Sequence, residues 1–136
     1  MKQLKLFLLA FLVMMTATSA EAKTVKVDNL YMFGFSASFK DSVVYVTDIQ
    51  NVPQARINEK TKFLLDRDQY SYQLKNFLSE TLQQTGRICL IIYDTDKKKA
   101  EKKYVKLMKK YKKGYQVLYL NETQFRFKVI EGDADE

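Results

Sequence analysis

Aromatic and β-branched residues are concentrated in two neighbouring runs of the chain, at positions 30–38 (LYMFGFSAS) and 42–49 (SVVYVTDI). Such residues favour β-strands, and the polar break between the two runs is typical of a tight turn. Pro53 ends the second run, because proline lacks the N–H group that a strand ladder needs. The pattern predicts an antiparallel hairpin, followed by a loop that reaches Asp66.

Two later segments repeat their apolar residues with the period of an amphipathic helix. The first covers residues 69–84, between Asp68 as a predicted N-cap and Gly86 as a predicted stop. The second covers residues 97–112 and ends before Gly114. The apolar stripe of the first helix is Tyr70, Leu74, Phe77, Leu78 and Leu82, and that of the second is Ala100, Tyr104, Leu107, Met108 and Tyr111.

Three further runs predict strands around these helices. Residues 87–94 (RICLIIYD) are apolar without alternation, which is typical of a strand covered on both faces, so we expect a central strand. Residues 115–120 predict a parallel strand after a crossover through the second helix. Alternation of Phe125, Phe127 and Val129 with polar residues predicts an edge strand. The predicted fold is α/β, a two-layer α+β-like sandwich with a mixed sheet and the element order ββαβαβ(β).

An aromatic patch is predicted on the N-terminal hairpin. Tyr31, Phe33 and Phe35 lie on one side of its first strand, and Tyr45 lies in its second strand. If helices cover only one face of the sheet, this patch is a site for a partner or a glycan. If helices cover both faces, the patch belongs to the core, which is the interpretation that we favour.

The N-terminus predicts export. Lys2 and Lys5 precede ten uninterrupted apolar residues at positions 6–15, and small residues up to Ala22 offer a cleavage site. Ten residues are too few to cross the roughly 30 Å hydrocarbon layer of a membrane as a helix. The predicted division of the chain is a cleaved signal peptide at residues 1–22, a single α/β domain at 23–130 and a disordered acidic tail at 131–136.

One cysteine and no histidine restrict the chemistry that the chain can carry. Cys89 alone cannot form an intrachain disulfide or a multi-cysteine metal site, and it lies far from the predicted cleavage position, which argues against a lipoprotein. The lack of histidine removes the commonest general base and zinc ligand. We therefore expect an exported protein, periplasmic or secreted, and assign no catalytic residue, metal or cofactor.

Positive charge is concentrated in the second predicted helix. Ten lysines and one acid, Glu101, lie between Lys97 and Lys113, although the whole chain carries a net charge of only +7. For an exported protein this charge indicates a non-enzymatic binding module for anionic lipid, glycan or protein surfaces, in preference to nucleic acid. The alternative is a solvated face without a ligand. The candidate binding residues are Lys98, Lys99, Lys102, Lys103, Lys106, Lys109, Lys110 and Lys113.

Asp94 and Asp96 form an alternative acidic site at the end of the predicted central strand. Residues 91–96 resemble the nucleophile motif of haloacid-dehalogenase-type phosphatases, and this resemblance would imply a small Mg²⁺-dependent hydrolase or phosphate-binding enzyme. The 40 residues after Asp96 are too few for the remaining strands and metal ligands of that family. The competing interpretation is that one of the two acids caps the lysine-rich helix. A structural component with no ligand is the third possibility that the sequence leaves open.

Overall fold

The computed structural model describes residues 23–132, so the predicted signal peptide and the last four residues of the predicted tail lie outside the described residues. Seven strands and two helices follow one another in this range. They are β1 (Thr24–Lys26), β2 (Tyr31–Ala37), β3 (Val43–Thr47), β4 (Gln50–Asn51), β5 (Arg56–Asn58), α1 (Arg67–Glu80), β6 (Ile88–Asp94), α2 (Lys97–Tyr111) and β7 (Gln116–Leu120). The predicted α/β class, the mixed sheet and the order of the long elements are confirmed.

Strand β2 forms the centre of the main sheet. One of its edges pairs with β6 in antiparallel register along its whole length, from Tyr31 opposite Asp94 to Ala37 opposite Ile88. The other edge pairs with β3 and β4, both antiparallel, and β7 pairs with β3 in parallel. Strands β6 and β7 therefore run in the same direction, joined by the crossover through α2. Strands β1 and β5 form a separate antiparallel pair.

The two helices lie on opposite faces of this sheet. Helix α1 buries Leu74 in a core that includes Met32 of β2, whereas α2 packs Tyr104 against the core that contains Phe33. Because neighbouring residues of a strand point to opposite faces, these contacts place one helix above the sheet and one below it. The arrangement is helix, sheet, helix, so it has three layers instead of the predicted two.

This coverage places Phe33, Phe35 and Tyr45 of the predicted aromatic patch in the core, whereas Tyr31 stays partly exposed. The ring centroid of Phe33 lies 5.1 Å from that of Tyr104, and that of Phe35 lies 4.6 Å from that of Tyr111. Both phenylalanines are buried by the stripe of α2. Tyr45 is buried on the other face, in the core under α1.

Helix α1 approaches β2 most closely at Gly34. A Cβ atom at this position would lie 2.6 Å from Cδ2 of Leu74 and 3.2 Å from Cζ of Phe127. Both neighbours are buried, and real Cβ contacts are longer than the first of these distances. Glycine is therefore required here for close packing of the helix on the sheet.

The prediction that residues 87–94 form a central strand is wrong. Among the described residues, β6 pairs only with β2, so it lies at the edge of the sheet. Its apolar run reflects coverage by both helices, because Ile91 belongs to the core under α1 and Ile92 packs against the core under α2. Towards the N-terminal end of β6, helix α2 no longer covers the strand, and Leu90 is 51% exposed.

The predicted edge strand at positions 125–129 is also wrong, although its apolar side is buried. Phe125 and Phe127 are both in the core, but no strand forms there. Their backbone groups bond instead to the buried side chain of Gln50, whose Nε2 donates to the carbonyl of Phe125 (2.9 Å) and whose Oε1 accepts from the N–H of Phe127 (2.8 Å). The amide side chain of Gln50 thus makes hydrogen bonds that a neighbouring strand would otherwise make with this segment.

The helix ends differ in how well the sequence predicts them. Asp66, and not Asp68, occupies the N-cap position of α1, and its side chain makes no capping hydrogen bond to the helix; Asp68 lies in the first turn, and the helix ends well before Gly86. Helix α2 begins after Asp96, as expected if this acid is a cap, and ends ahead of Gly114, whose φ is 85°. Within residues 23–132 neither helix has the length and apolar character needed to cross a membrane.

Candidate functional site

A row of lysines runs along the outer face of α2. Ala100 marks the buried side of the helix, and residues three or four apart share a face, so the opposite side can be assigned from the helix period. All lysines on that side are exposed. The row consists of Lys98, Lys102, Lys106 and Lys109, with Lys113 following directly after the helix. At 1.5 Å per residue, the four helical lysines span about 16 Å.

The other predicted lysines lie on the flank of α2. Lys99 and Lys103 face β6, where Nζ of Lys103 donates to the backbone carbonyl of Tyr93 (2.9 Å) and lies 3.2 Å from the carboxylate of Asp94. The ammonium group of Lys110 lies 5.5 Å from the ring centroid of Tyr111. The eight candidate residues therefore form two surfaces, an outer row and a flank, and not one uniform patch.

The lysines in the first turn of α2 and the like-charge pairs along it destabilise the helix. The first turn holds Lys97, Lys98 and Lys99 and no acid, although the N-terminal end of a helix dipole repels cations. Like charges four residues apart, such as Lys98 and Lys102, repel each other as well. The packing of the apolar stripe and the Asp96 cap must offset this repulsion. The result is a strong positive potential at the N-terminal end of α2.

A cleft of about 610 Å³ opens at this end of α2. The β5–α1 connection, the start of α1, the end of β6 and the start of α2 all contribute to its walls. Its charged and aromatic lining residues are Lys62, Phe63, Arg67, Tyr93, Asp94, Lys99 and Lys103. Four cations and one carboxylate thus share one concave surface.

Arg67 and Lys103 reach the outer edge of β6 from opposite faces of the sheet. Nε and Nη2 of Arg67 donate to the carbonyl of Ile91 at 3.0 and 2.6 Å, while Lys103 binds the carbonyl of Tyr93. The two cations lie 5.4 and 5.9 Å from the ring centroid of Tyr93. The Tyr93 hydroxyl accepts from the N–H of Leu64 at 2.9 Å. These contacts fix the floor of the cleft.

A tight turn between β5 and α1 carries two side chains to the rim of the cleft. The side chain of Asn58 accepts the N–H groups of Lys60 and Thr61 at 3.0 Å, and its carbonyl accepts that of Lys62 at 2.8 Å. Lys62 has a φ of 63°, a left-handed conformation that costs a residue with a side chain roughly 1–2 kcal/mol. The next residue, Phe63, is 69% exposed. A lysine in strained backbone and an exposed ring therefore stand together at the rim.

Asp94 and Asp96 both have partners in the structure. Oδ1 of Asp96 accepts from the N–H of Lys99 (3.1 Å) and caps α2, and Oδ1 of Asp94 accepts from the N–H of Asp96 (2.9 Å). Burial alone would raise the pKa of Asp94, but the Asp96 N–H and the hydrogen bond and charge of Lys103 outweigh burial and lower that pKa. Residues 23–132 contain no group of three or more cysteines or acids that could hold a metal ion.

Cys89 lies half-buried on β6, away from the cleft-lining residues. Burial raises the pKa of its thiol, although a hydrogen bond to the hydroxyl of Ser36 (3.6 Å from Sγ to Oγ) acts in the opposite direction. A raised pKa leaves the group as a thiol at neutral pH, the form that is a poor nucleophile.

Lys62, Phe63 and Arg67 are not among the site residues predicted from the sequence. Lys62 and Phe63 lie near the end of the segment predicted as a loop, and Arg67 follows that segment directly; the fold brings all three beside Lys99 and Lys103, more than thirty positions away in sequence. The available signal was the cluster of cations and an aromatic residue in that loop, a type of segment that often carries function. No protein-family model matches this chain, and comparison with characterised proteins and with solved structures finds no significant similarity.

Proposed function

We propose that this protein is an exported, non-enzymatic binding module that holds a linear acidic polysaccharide along the outer face of α2. The observation that carries the proposal is the row of Lys98, Lys102, Lys106 and Lys109, which lies fully on the exposed side of one helix. A row of like charges on a helix attracts a polyanion over several ångströms at low salt. The predicted signal peptide supports a partner outside the cytoplasm.

The shape of the row favours a chain over a membrane surface. The row is one side chain wide, and Glu101 and the half-exposed Val105 lie beside it. A flat anionic membrane would contact those flanking residues too, whereas a polymer chain can follow the lysines alone. The apolar stripe of α2 is already packed on the sheet, so the helix has no apolar face with which to enter a lipid layer.

The residue type favours charge attraction over recognition of a defined anion. Helix α2 contains lysine and no arginine, and lysine binds as a point charge, while arginine binds phosphate or carboxylate through two parallel hydrogen bonds. Repeated lysines therefore suit a ligand with repeated carboxylates. We expect loose, salt-sensitive binding that tolerates variation in the polymer.

Binding of the purified protein to fluorescein-labelled polygalacturonate, measured by anisotropy over a series of salt concentrations, tests the proposal. We expect the logarithm of affinity to fall linearly with the logarithm of salt concentration, because bound counterions are released. A variant with glutamine at Lys98, Lys102, Lys106 and Lys109 should lose at least about tenfold in affinity at low salt and show a shallower salt slope.

The matched control removes four exposed lysines from other parts of the chain. Substitution of Lys23, Lys26, Lys60 and Lys128 by glutamine changes the net charge by the same amount and leaves α2 intact. Equal losses of affinity in the two variants would show that only the net charge matters, and this result would contradict the proposal. Tighter binding to phosphatidylglycerol vesicles than to the polymer, lost in the α2 variant, would also contradict it and would assign the row to a membrane surface.

A further inference from the structure

We infer that the cleft at the N-terminal end of α2 is a separate binding site for a phosphate monoester carried on a ring. This site differs from the outer row of α2 in position and in residue type. It combines an arginine, three lysines and two aromatic rings, whereas the surface along the row is lined by lysines with Glu101 and Val105 and has neither arginine nor an aromatic ring. The inference does not depend on the proposed polysaccharide binding.

The charge of the cleft calls for a compact anion with more than one negative charge. Lys62, Arg67 and Lys99 join Lys103 around it, and only Asp94, already paired with Lys103, opposes them. The cations come from three separate segments of the chain, so their convergence does not follow from the composition of α2. A phosphate monoester, with a charge of nearly −2 at neutral pH, matches this excess.

Arg67 offers a donor that is already held in place. Its Nε and Nη2 are fixed by the Ile91 carbonyl, and its guanidinium lies against the Tyr93 ring. No residue between 23 and 132 accepts a hydrogen bond from Nη1. A ligand oxygen that binds Nη1 would therefore meet a donor whose rotamer freedom has already been lost, which strengthens binding.

The rim of the cleft indicates that the anion is attached to a ring. Phe63 projects into solvent beside Lys62. A free inorganic ion would gain no binding energy from packing against this exposed ring, whereas a ligand with a ring of its own would. Sites for small molecules combine apolar and aromatic lining with a few charged groups, and their usual volume of about 300–1,000 Å³ includes this cleft. The ring can be a sugar or a nucleobase, since both pack flat against phenylalanine.

Isothermal titration of the purified protein with four probes tests the inference. The probes are glucose 1-phosphate, uridine monophosphate, inorganic phosphate and glucose. We expect one of the two ring-bearing monophosphates to bind at least about tenfold more tightly than inorganic phosphate, and glucose not to bind. The stronger of the two monophosphates identifies the source of the ring. Absence of saturable binding by both, up to about 10 mM, would overturn the inference.

Three variants assign the binding to the cleft. Lys62→Asn and Lys99→Gln each remove one exposed lining cation and should weaken monophosphate binding several-fold, whereas Lys60→Asn, in the same turn but outside the lining, should not. Phe63→Ser should reduce the affinity for the monophosphate to that for inorganic phosphate. Equal effects of Lys60→Asn and Lys62→Asn would overturn the inference.

The same titrations separate this inference from the proposed function. The α2 variant with four glutamines should keep its affinity for the monophosphate, and Lys62→Asn should keep its affinity for polygalacturonate. If the polymer does not bind but the monophosphate does, the inference about the cleft holds and the proposed polysaccharide binding by the row is wrong. If the four-glutamine variant loses monophosphate binding in parallel with polymer binding, the cleft is not a separate site.

Discussion

The side chain of Gln50 takes the place of a strand beside Phe127. It accepts the N–H of Phe127 at 2.8 Å, donates to the carbonyl of Phe125 at 2.9 Å, and is completely buried. This pair of bonds joins the C-terminal segment to the sheet across 77 positions of sequence. It allows residues without regular secondary structure to contribute two phenylalanines to the core.

We expect Gln50→Leu to lower the free energy of unfolding by about 2–4 kcal/mol. The leucine fills a similar volume but leaves a buried N–H and a buried carbonyl without partners, and each such group costs about 1–3 kcal/mol. Urea denaturation followed by circular dichroism measures the change. Gln116→Leu, at an exposed position, is the control and should change stability by less than about 0.5 kcal/mol. Equal stability of the two variants would contradict this role for Gln50.

A second prediction concerns the contact between Gly34 and Leu74. Gly34→Ala places a methyl group where Leu74 already lies, so we expect a loss of about 1–3 kcal/mol in the free energy of unfolding. The double variant Gly34→Ala with Leu74→Ala should show coupling, because the smaller residue on α1 makes room for the new methyl group. Additive losses in thermal or urea denaturation would show that the two positions do not compete for space.

The strands show what periodicity in the sequence can and cannot predict. The apolar run of β6 correctly indicated that both faces of the strand are in contact with helices, since Ile91 and Ile92 pack against different cores. It could not indicate how many strands pair with its edges, because side-chain hydrophobicity reports on faces only. The alternation at Phe125 and Phe127 likewise predicted a buried side but not the partner, since that partner is the side chain of Gln50.

The candidate site likewise has a part that the sequence predicted and a part that it did not. The sequence predicted the lysine row because all of its members except Lys113 lie in one helix, and the helix period places Lys98 and Lys102 on the outer face. The cleft was not visible, because it depends on the β5–α1 turn bringing Lys62 and Phe63 towards Lys99. The left-handed φ of Lys62 is a further property that a lysine does not signal in a sequence, since glycine and asparagine are the usual residues there.

The two ends of α2 should respond differently to charge reversal. Lys98→Glu puts an acid in the first turn and opposite Lys102, so we expect stability to rise by about 0.3–1 kcal/mol. Lys109→Glu puts an acid in the last turn, where the helix dipole repels it but the lysines three and four positions away attract it, so stability should change by less than in Lys98→Glu. Both variants should bind polygalacturonate more weakly. Urea denaturation measures the stability of each variant, and anisotropy measures its affinity for the polymer. An affinity that changed in the same direction as the stability would contradict binding by the row.

Asp94 gives a prediction for pH dependence. Its pKa is lowered in the folded protein by the Asp96 N–H and by Lys103. Its contribution to stability is therefore fully present above the pKa of the unfolded chain, near 4, and is lost as the pH falls through the lower value of the folded state. We expect Asp94→Asn to be less stable than the original protein at pH 7 by about 1 kcal/mol or less, and the difference to shrink as the pH falls below about 4.

Denaturation in urea at intervals from pH 7 to pH 2 measures this difference. Asp28→Asn is the matched control, because Asp28 is exposed and makes no ion pair among the described residues. A stability difference between Asp94→Asn and the original protein that stayed constant down to pH 2 would contradict the proposed contribution of the charged carboxylate.

The positions of Arg67 and Lys103 also bear on how the protein behaves at high concentration. Strand β6 is an edge strand with exposed apolar side chains, and such edges can recruit a strand from another molecule and start a fibre. A recruited strand would need the outward carbonyl groups of β6, but those of Ile91 and Tyr93 already accept hydrogen bonds from the two cations. The side chains that form the floor of the cleft thereby hinder a second molecule from adding a strand at the C-terminal part of this edge.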